Sequence, residues 1–147
     1  PKCTSSDCRA SDFVAMAGVN PWAVPNPTVW VCLRPHPIRV AGNSGPLKDE
    51  TTWDELGLPA EKTTVTQKVR RVGAWDGELA RLAVKANGAN VSRGAITMLD
   101  QVFPEIAGET SRSQFPEHVM DWLLAKEREL GVPISLATTG PNSGVWM

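Results

Sequence analysis

"TVWVCLRP", Thr28 to Pro35, is a continuous apolar run of strand length, rich in β-branched residues and closed by a proline. A strand with one wet face alternates apolar and polar residues, whereas a continuous run reads as a strand covered on both faces, the habit of parallel sheets. Runs of this kind return twice. "GAITMLD", Gly94 to Asp100, reads as a second buried strand whose carboxyl end delivers Asp100, and "VPISLATTGP" reads as a third that ends in Thr138, Thr139 and Gly140.

Helical patterns fill the gaps. "AWDGELARLAVKANG" carries Leu79, Leu82, Ala83 and Ala86 at spacings of three and four, with Gly88 as terminator. "FPEHVMDWLLAKERELG" sets Val119, Trp122, Leu123 and Leu130 on one face, with Pro116 near the first turn and Gly131 at the stop. Parallel strands need a covering crossover, so strand, helix, strand, helix, strand predicts an α/β fold built on a partial, mostly parallel sheet with covering helices. Ligands of such sheets bind beyond the carboxyl ends of the strands, where Asp100 and "TTGP" fall.

The flanks are more punctuated. Ser11 is placed to cap a short helix over "DFVAMAG" with Gly18 as its stop, and "VNPWAVPNP" reads as a turn-rich connection. Pro37 to Val40 predicts a short strand running into a Gly-rich surface loop, and Thr52 is placed to cap "WDELG".

The 147 residues suit one domain, and a formal charge of -1 excludes an overall basic field for nucleic acid or anionic membrane. Three cysteines, Cys3, Cys8 and Cys32, lack a CxxC pair, which argues against a disulfide framework or zinc knuckle and for a reducing, cytoplasmic setting. No apolar run approaches the roughly 20 residues of a membrane span. The opening "PKCTSSD", without Met, reads as the interior of a longer protein, and no internal repeat is present.

"TTVTQKVRRVG", Thr63 to Gly73, alternates β-branched and polar residues as an extended strand does, while Lys68, Arg70 and Arg71 crowd four positions and Gly73 breaks the run. An anionic ligand is the favoured reading, with Arg70 offering paired donors to a carboxylate or phosphate and Thr64 and Thr66 further ones. A solvated edge strand with gatekeeper charges is the bland alternative. Asp100 offers two acceptors to the N1 and amino protons of guanine, or else caps a turn before Pro104; "TTGP" can equally be an ordinary turn. "CTSSD", Cys3 to Asp7, suits either a phosphate cradle or helix capping. His36 stands between two prolines and His118 on a polar helix face, so both read as structural or surface residues.

Taken in order, these segments resemble the adenylosuccinate synthetase family, which has a "TSS" segment, a "YPIRVG"-like strand and loop, a "TTxTxRxRRxG" loop, a "TKLD" strand end and a "TGP" segment. This chain has "CTSSD" at Cys3, "HPIRVAGNSGPL" from His36, "TTVTQKVRRVG" from Thr63, "TMLD" at Thr97 and "TTGP" at Thr138. The resemblance implies that residues 1–147 are one C-terminal fragment of a P-loop NTPase-related fold, most like compact archaeal and phage members, without the N-terminal phosphate-loop half. It implies a ligase in which a nucleoside triphosphate, GTP, phosphorylates the 6-oxygen of IMP and the amino group of L-aspartate displaces phosphate. Thr4 would contact the 5'-phosphate of the purine nucleotide and the backbone at Val40 its ribose, with Lys68 also near this substrate. Thr64, Val65, Thr66, Gln67, Lys68, Val69 and Arg70 would form the aspartate-binding loop. Arg70 would also reach the triphosphate nucleotide, whose base would lie among Met98, Leu99, Asp100, Thr138, Thr139 and Gly140. Magnesium would take its ligands in the absent half, and the complete protein would be a homodimer.

Departures from the pattern are specific. Lys68 stands for an Arg and loses its planar fork, Met98 stands for the Lys of "TKLD", Gln67 replaces a small or basic residue, and Asn142 replaces an acidic one. Some phage relatives act on dGMP, with ATP as donor, to make 2-aminoadenylosuccinate, and Met98 is compatible with that branch. No Gly-rich phosphate-loop sequence occurs in the chain, so no catalytic residue is assigned and no turnover is expected of it alone. The contrasting expectation is a non-catalytic nucleotide-binding relic.

Overall fold

A computed structural model of the chain describes residues 9–25, 27–88 and 91–147. Their order is α1 (Ala10–Met16), a 3-10 turn (Pro21–Ala23), β1 (Val29–Leu33), β2 (Ile38–Arg39), β3 (Glu50–Thr51), β4 (Arg71–Gly73), α2 (Gly77–Ala86) and β5 (Val91–Ile96). Three 3-10 turns follow (Leu99–Gln101, Pro104–Ile106, Arg112–Gln114), then α3 (Glu117–Leu130), β6 (Ile134–Gly140) and β7 (Ser143–Trp146). The main sheet has the order β1-β5-β6-β7; β1, β5 and β6 are parallel, as the sequence predicts, and β7 closes it antiparallel as a hairpin with β6. A second, antiparallel sheet, β2-β4-β3, sits in the connection between β1 and α2.

One rung of the main sheet shows why the strands assemble. Leu33, Ile96, Ala137 and Val145 stand opposite one another across all four strands, and the last three are almost wholly buried. They join Leu99, Ile106, Val119, Leu123 and Leu130 in the core, against α2 and α3, which pack on each other on that face. The next rung, Cys32, Ala95, Leu136 and Trp146, faces the other way, where Cys32 is exposed and Trp146 is 70% exposed. Trp30 and Trp146 meet edge to face at 5.8 Å on this face, and Arg93 lies over Trp30 while donating to Ser135 Oγ at 2.8 Å. The run Thr28 to Pro35 therefore corrects to an edge strand covered on one face among the described residues.

The helices follow their stop signals more closely than their predicted faces. Gly131 ends α3 at φ 73° and Gly88 follows α2 at φ 74°, both in the left-handed region where glycine is unstrained. Pro116 is the N-cap of α3 and Asp76 that of α2, its carboxylate accepting from Leu79 N. In α2 the buried positions are Gly77 and Ala80, while Leu82 is 36% exposed, so the predicted stripe of Leu79, Leu82, Ala83 and Ala86 is rotated. The cause is close packing: Glu129 of α3 lies where a Cβ on Gly77 would stand, and it accepts from Trp75 Nε1 at 3.0 Å and from Lys126. At the other end, Ser11 is the second residue of α1 and not its cap; Arg9 holds that place and Gly18 does mark the stop. Thr52 caps a turn, not a helix, by accepting from Glu55 N while Glu55 accepts from Thr52 N. No described helix is long and apolar enough to cross a membrane.

Ile96→Ala is expected to lose about 2–5 kcal/mol because it opens a cavity at the centre of the buried rung. Leu82→Ala, on the exposed side of α2, is expected to lose under about 1 kcal/mol. Urea unfolding of both variants measures the contrast, and equal losses would contradict this core.

Candidate functional site

The carboxyl ends of the parallel strands are stitched together. Leu33 O, at the end of β1, accepts from Thr97 N at 2.8 Å and from Thr97 Oγ1 at 3.1 Å. Met98 N then donates to Thr138 Oγ1 of β6 at 2.8 Å. Met98 adopts a left-handed backbone, φ 61° and ψ 39°, which reverses the chain into the 3-10 turn holding Leu99 and Asp100. The predicted strand Gly94 to Asp100 thus stops at Ile96, because fully buried Leu99 turns inward to the core. Asp100 still arrives at the expected end of the sheet.

Of the residues expected around the base, Met98, Asp100 and Thr138 come together here, with Gly140 at the end of β6. Thr139 is wholly buried and spends its hydroxyl on Glu109 O and Ser143 Oγ, and the Leu99 side chain is core. Val40 follows β2 and is 40% exposed, with its carbonyl accepting from Ser44 Oγ. Thr4, with the whole "CTSSD" segment, lies outside the described residues.

The cationic stretch is a hairpin and not a continuous strand. Lys62 bridges Val69, Thr63 N donates to Lys68 O, Gln67 N donates to Thr63 O, and Gln67 takes φ 54° at the tip. Thr66 shares a hydroxyl contact with Thr63, the Gln67 amide donates to Thr64 O, and Val65 is 91% exposed. Strand structure begins only at Arg71, and Gly73 does not break it: it belongs to β4, where a Cβ would meet Lys48 O at 2.6 Å. No hydrogen bond among the described residues joins the tip to Met98, Asp100 or Thr138.

The foot of the hairpin is tied to the end of β1. Arg70 N donates to Glu61 O, buried Trp53 donates from Nε1 to Arg70 O at 2.7 Å, and Arg34, just past β1, forks onto the Glu61 carboxylate. Hydrogen bonds from Arg34 hold the Glu61 carboxyl below its ordinary range, aided by the charges of Arg34 and Arg70. Arg71 is occupied otherwise: it grips Glu50 and reaches Gly42 O and Gly45 O, while buried Arg39 donates to Ser44 O and Pro46 O. Those two arginines fix the Gly-rich loop. The Arg70 guanidinium, by contrast, makes no hydrogen bond or ion pair to a described residue, so the group of Arg34, Glu61 and Arg70 carries one unbalanced positive charge.

Among the described residues the buried side-chain polar atoms without a hydrogen-bond partner are Arg34 Nε, His36 Nδ1, Asp100 Oδ1 and Gln101 Oε1. All four follow the carboxyl ends of β1 and β5. Burial, with Arg34 nearby, lowers the His36 pKa, so this imidazole is neutral at pH 7. Exposed His118 pairs with Glu105, in keeping with a surface role. The sequence does not single out Arg34, Glu61 or Gln101 at this end of the sheet; a Glu and an Arg separated by 27 positions carry no local signal of their pairing. A cleft of about 260 Å³ lined by Arg93, Ser135 and Met147 opens at the amino end of β6, away from all of these groups. Among the described residues no group of three or more His, Cys, Asp or Glu could hold a metal ion.

No family model matches the chain. It is 37% identical over 145 residues to an adenylosuccinate synthetase of Thermococcus sibiricus and 38% identical to one of Methanocaldococcus jannaschii. Each match covers 97% of this chain and 41% or 40% of the relative, so the chain spans about two fifths of the curated relatives' length. Among solved structures, it is similar to the succinoaminodeoxyadenylate synthetase of cyanophage S-2L bound to dGMP and dATP, with TM-score 0.70 and 25% identity over 96% of this chain and 39% of that one. It also shares the fold of the fully ligated adenylosuccinate synthetase of Plasmodium falciparum, with TM-score 0.78 and 19% identity over all of this chain and 46% of that one.

Because the Glu61 pKa is depressed in the folded state, the Arg34–Glu61 pair contributes fully near neutral pH and is lost as pH falls through and below the ordinary glutamate range. Glu61→Gln is expected to destabilise the fold by roughly 1–3 kcal/mol at pH 7. Urea unfolding across pH should show the gap from wild type narrowing in acid; a gap independent of pH would remove the ion pair as its cause.

Proposed function

The chain belongs to the adenylosuccinate synthetase family, and from that premise we propose that residues 1–147 are the C-terminal, substrate-recognising part of a ligase that joins L-aspartate to the 6-position of IMP with hydrolysis of GTP. The observation that carries this reading is the gathering of unpartnered buried polar atoms beyond β1 and β5, where a parallel sheet takes its ligand.

Within this reading Asp100 accepts from the guanine edge, and Met98, Thr138 and Gly140 line the base, with Leu99 and Thr139 contributing backbone while their side chains hold the core. Arg70 supplies a fork without a hydrogen-bond partner among the described residues at the foot of the hairpin, where a carboxylate of aspartate or a phosphate oxygen would balance its charge. Lys68 and Thr64 extend that donor set along an exposed tip, and Val40 and Thr4 are assigned to the ribose and 5'-phosphate of the purine substrate. Phosphoryl transfer needs a cradle of backbone donors and a positioned base. No phosphate-loop sequence is present in the 147 residues. Turnover is therefore assigned to this part together with the remainder of the family's sequence, which would also hold magnesium.

A second reading has a specific observation behind it. Met98 removes the charge that the family's lysine places beside the base, and the cyanophage relative binds dGMP and dATP. On that reading this chain serves a ligase that acts on dGMP with ATP.

The chain alone is expected to release no phosphate from GTP or ATP in the presence of aspartate and either IMP or dGMP. Supplying the remaining part from the Thermococcus sibiricus relative should restore aspartate-dependent release, and activity on dGMP alone would select the second reading. Turnover by the isolated chain, or none after complementation despite stable association, would defeat the assignment. Arg70→Ala in the complemented enzyme is expected to raise the KM for aspartate by at least about tenfold, the worth of a charged hydrogen bond of roughly 1.5–3 kcal/mol.

A further inference from the structure

Two of the unpartnered buried atoms lie on consecutive residues of one rigid turn. Asp100 Oδ1 and Gln101 Oε1 are both acceptors, and neither side chain makes a hydrogen bond to any described residue. Hydrogen bonds hold the backbone beneath them at several points. Leu99 is wholly buried, Gln101 N donates to Met98 O, Val102 N and Phe103 N donate to Leu99 O, and Met98 N is held by Thr138. Each buried acceptor is unfavourable without a donor.

A base edge rich in donors is their complement. Guanine presents three protons on one edge, N1–H and the two of its 2-amino group, and a carboxylate takes two of them, leaving one amino proton without an acceptor. We propose that Gln101 Oε1 accepts this third proton, so that Asp100 and Gln101 together read the 2-amino group and Gln101 determines the preference for guanine over hypoxanthine. The proposal rests on the base-binding role given to Asp100 above. Hypoxanthine lacks the 2-amino group and leaves Gln101 Oε1 unpaired, whereas adenine carries one amino group and no ring N–H on its pairing edge.

The isotope-labelled chain is titrated with GTP, inosine triphosphate and ATP, following NMR shifts to obtain Kd for wild type, Gln101→Leu and Asp100→Asn. Wild type should bind GTP most tightly. Gln101→Leu should weaken GTP about three- to tenfold, the worth of one neutral hydrogen bond, and leave inosine triphosphate unchanged. Asp100→Asn should weaken both. An unchanged ratio of GTP to inosine triphosphate in Gln101→Leu, or tighter binding of ATP than GTP by wild type, overturns the proposal while leaving the base pocket standing. Absence of binding by every nucleotide overturns the base pocket itself and this proposal with it. Thermal melting gives an independent reading: Gln101→Leu removes an unpaired acceptor and should melt no lower than wild type, so a lower Tm would reveal a structural role and overturn the proposal.

Discussion

Parallel pairing is the constraint from which the rest follows. Strands that run the same way must return through crossovers on a covered face, and their carboxyl ends then lie side by side. Here the Leu33 carbonyl, the Thr97 amide and hydroxyl, and the Met98–Thr138 bond lock three such ends together, while the Leu33, Ile96, Ala137 and Val145 rung anchors them below. Polar groups collected at that edge have little backbone freedom left, which is the condition a recognition site needs.

The arginines differ in how far local architecture uses them. Arg39 and Arg71 are consumed by loop carbonyls and Glu50, and the two terminal nitrogens of Arg34 by Glu61, so their charge serves local architecture, while Arg34 Nε has no partner among the described residues. Arg70 gives its backbone to the same construction, through Glu61 and Trp53, and its guanidinium makes no hydrogen bond to a described residue. A cluster that looks uniformly cationic in sequence therefore contains Arg71, spent on its own loop, beside Lys68 and Arg70, whose side chains make no hydrogen bond to a described residue. That distinction depends on partners far away in the chain.

What was legible in the sequence was local. Stop glycines at positions 18, 88 and 131, the buried face of α3 around Val119 and Leu123, and the delivery of Asp100 to a strand end all follow from neighbours within a few residues. The misreadings arose where a distant partner decides. Cys32 and Trp146 face outward because burial of a strand face depends on what covers it, and α2 is rotated because Gly77 lets Glu129 come close. Thr63 to Lys68 alternates like a strand yet closes on itself, since threonine hydroxyls and the Gln67 amide satisfy the turn from within. The hairpin partner β7 went unread although "TTGPNSGVW" holds two short runs about a Pro-Asn turn.

Met98 holds a left-handed backbone that a side chain adopts at an energetic disadvantage and glycine would adopt freely. Laboratory evolution of this chain under heat alone would accordingly drift toward glycine at that position. The drift would erase the thioether two residues before Asp100, so variants chosen for hardiness would lose the one side chain in which this strand end departs from the family pattern.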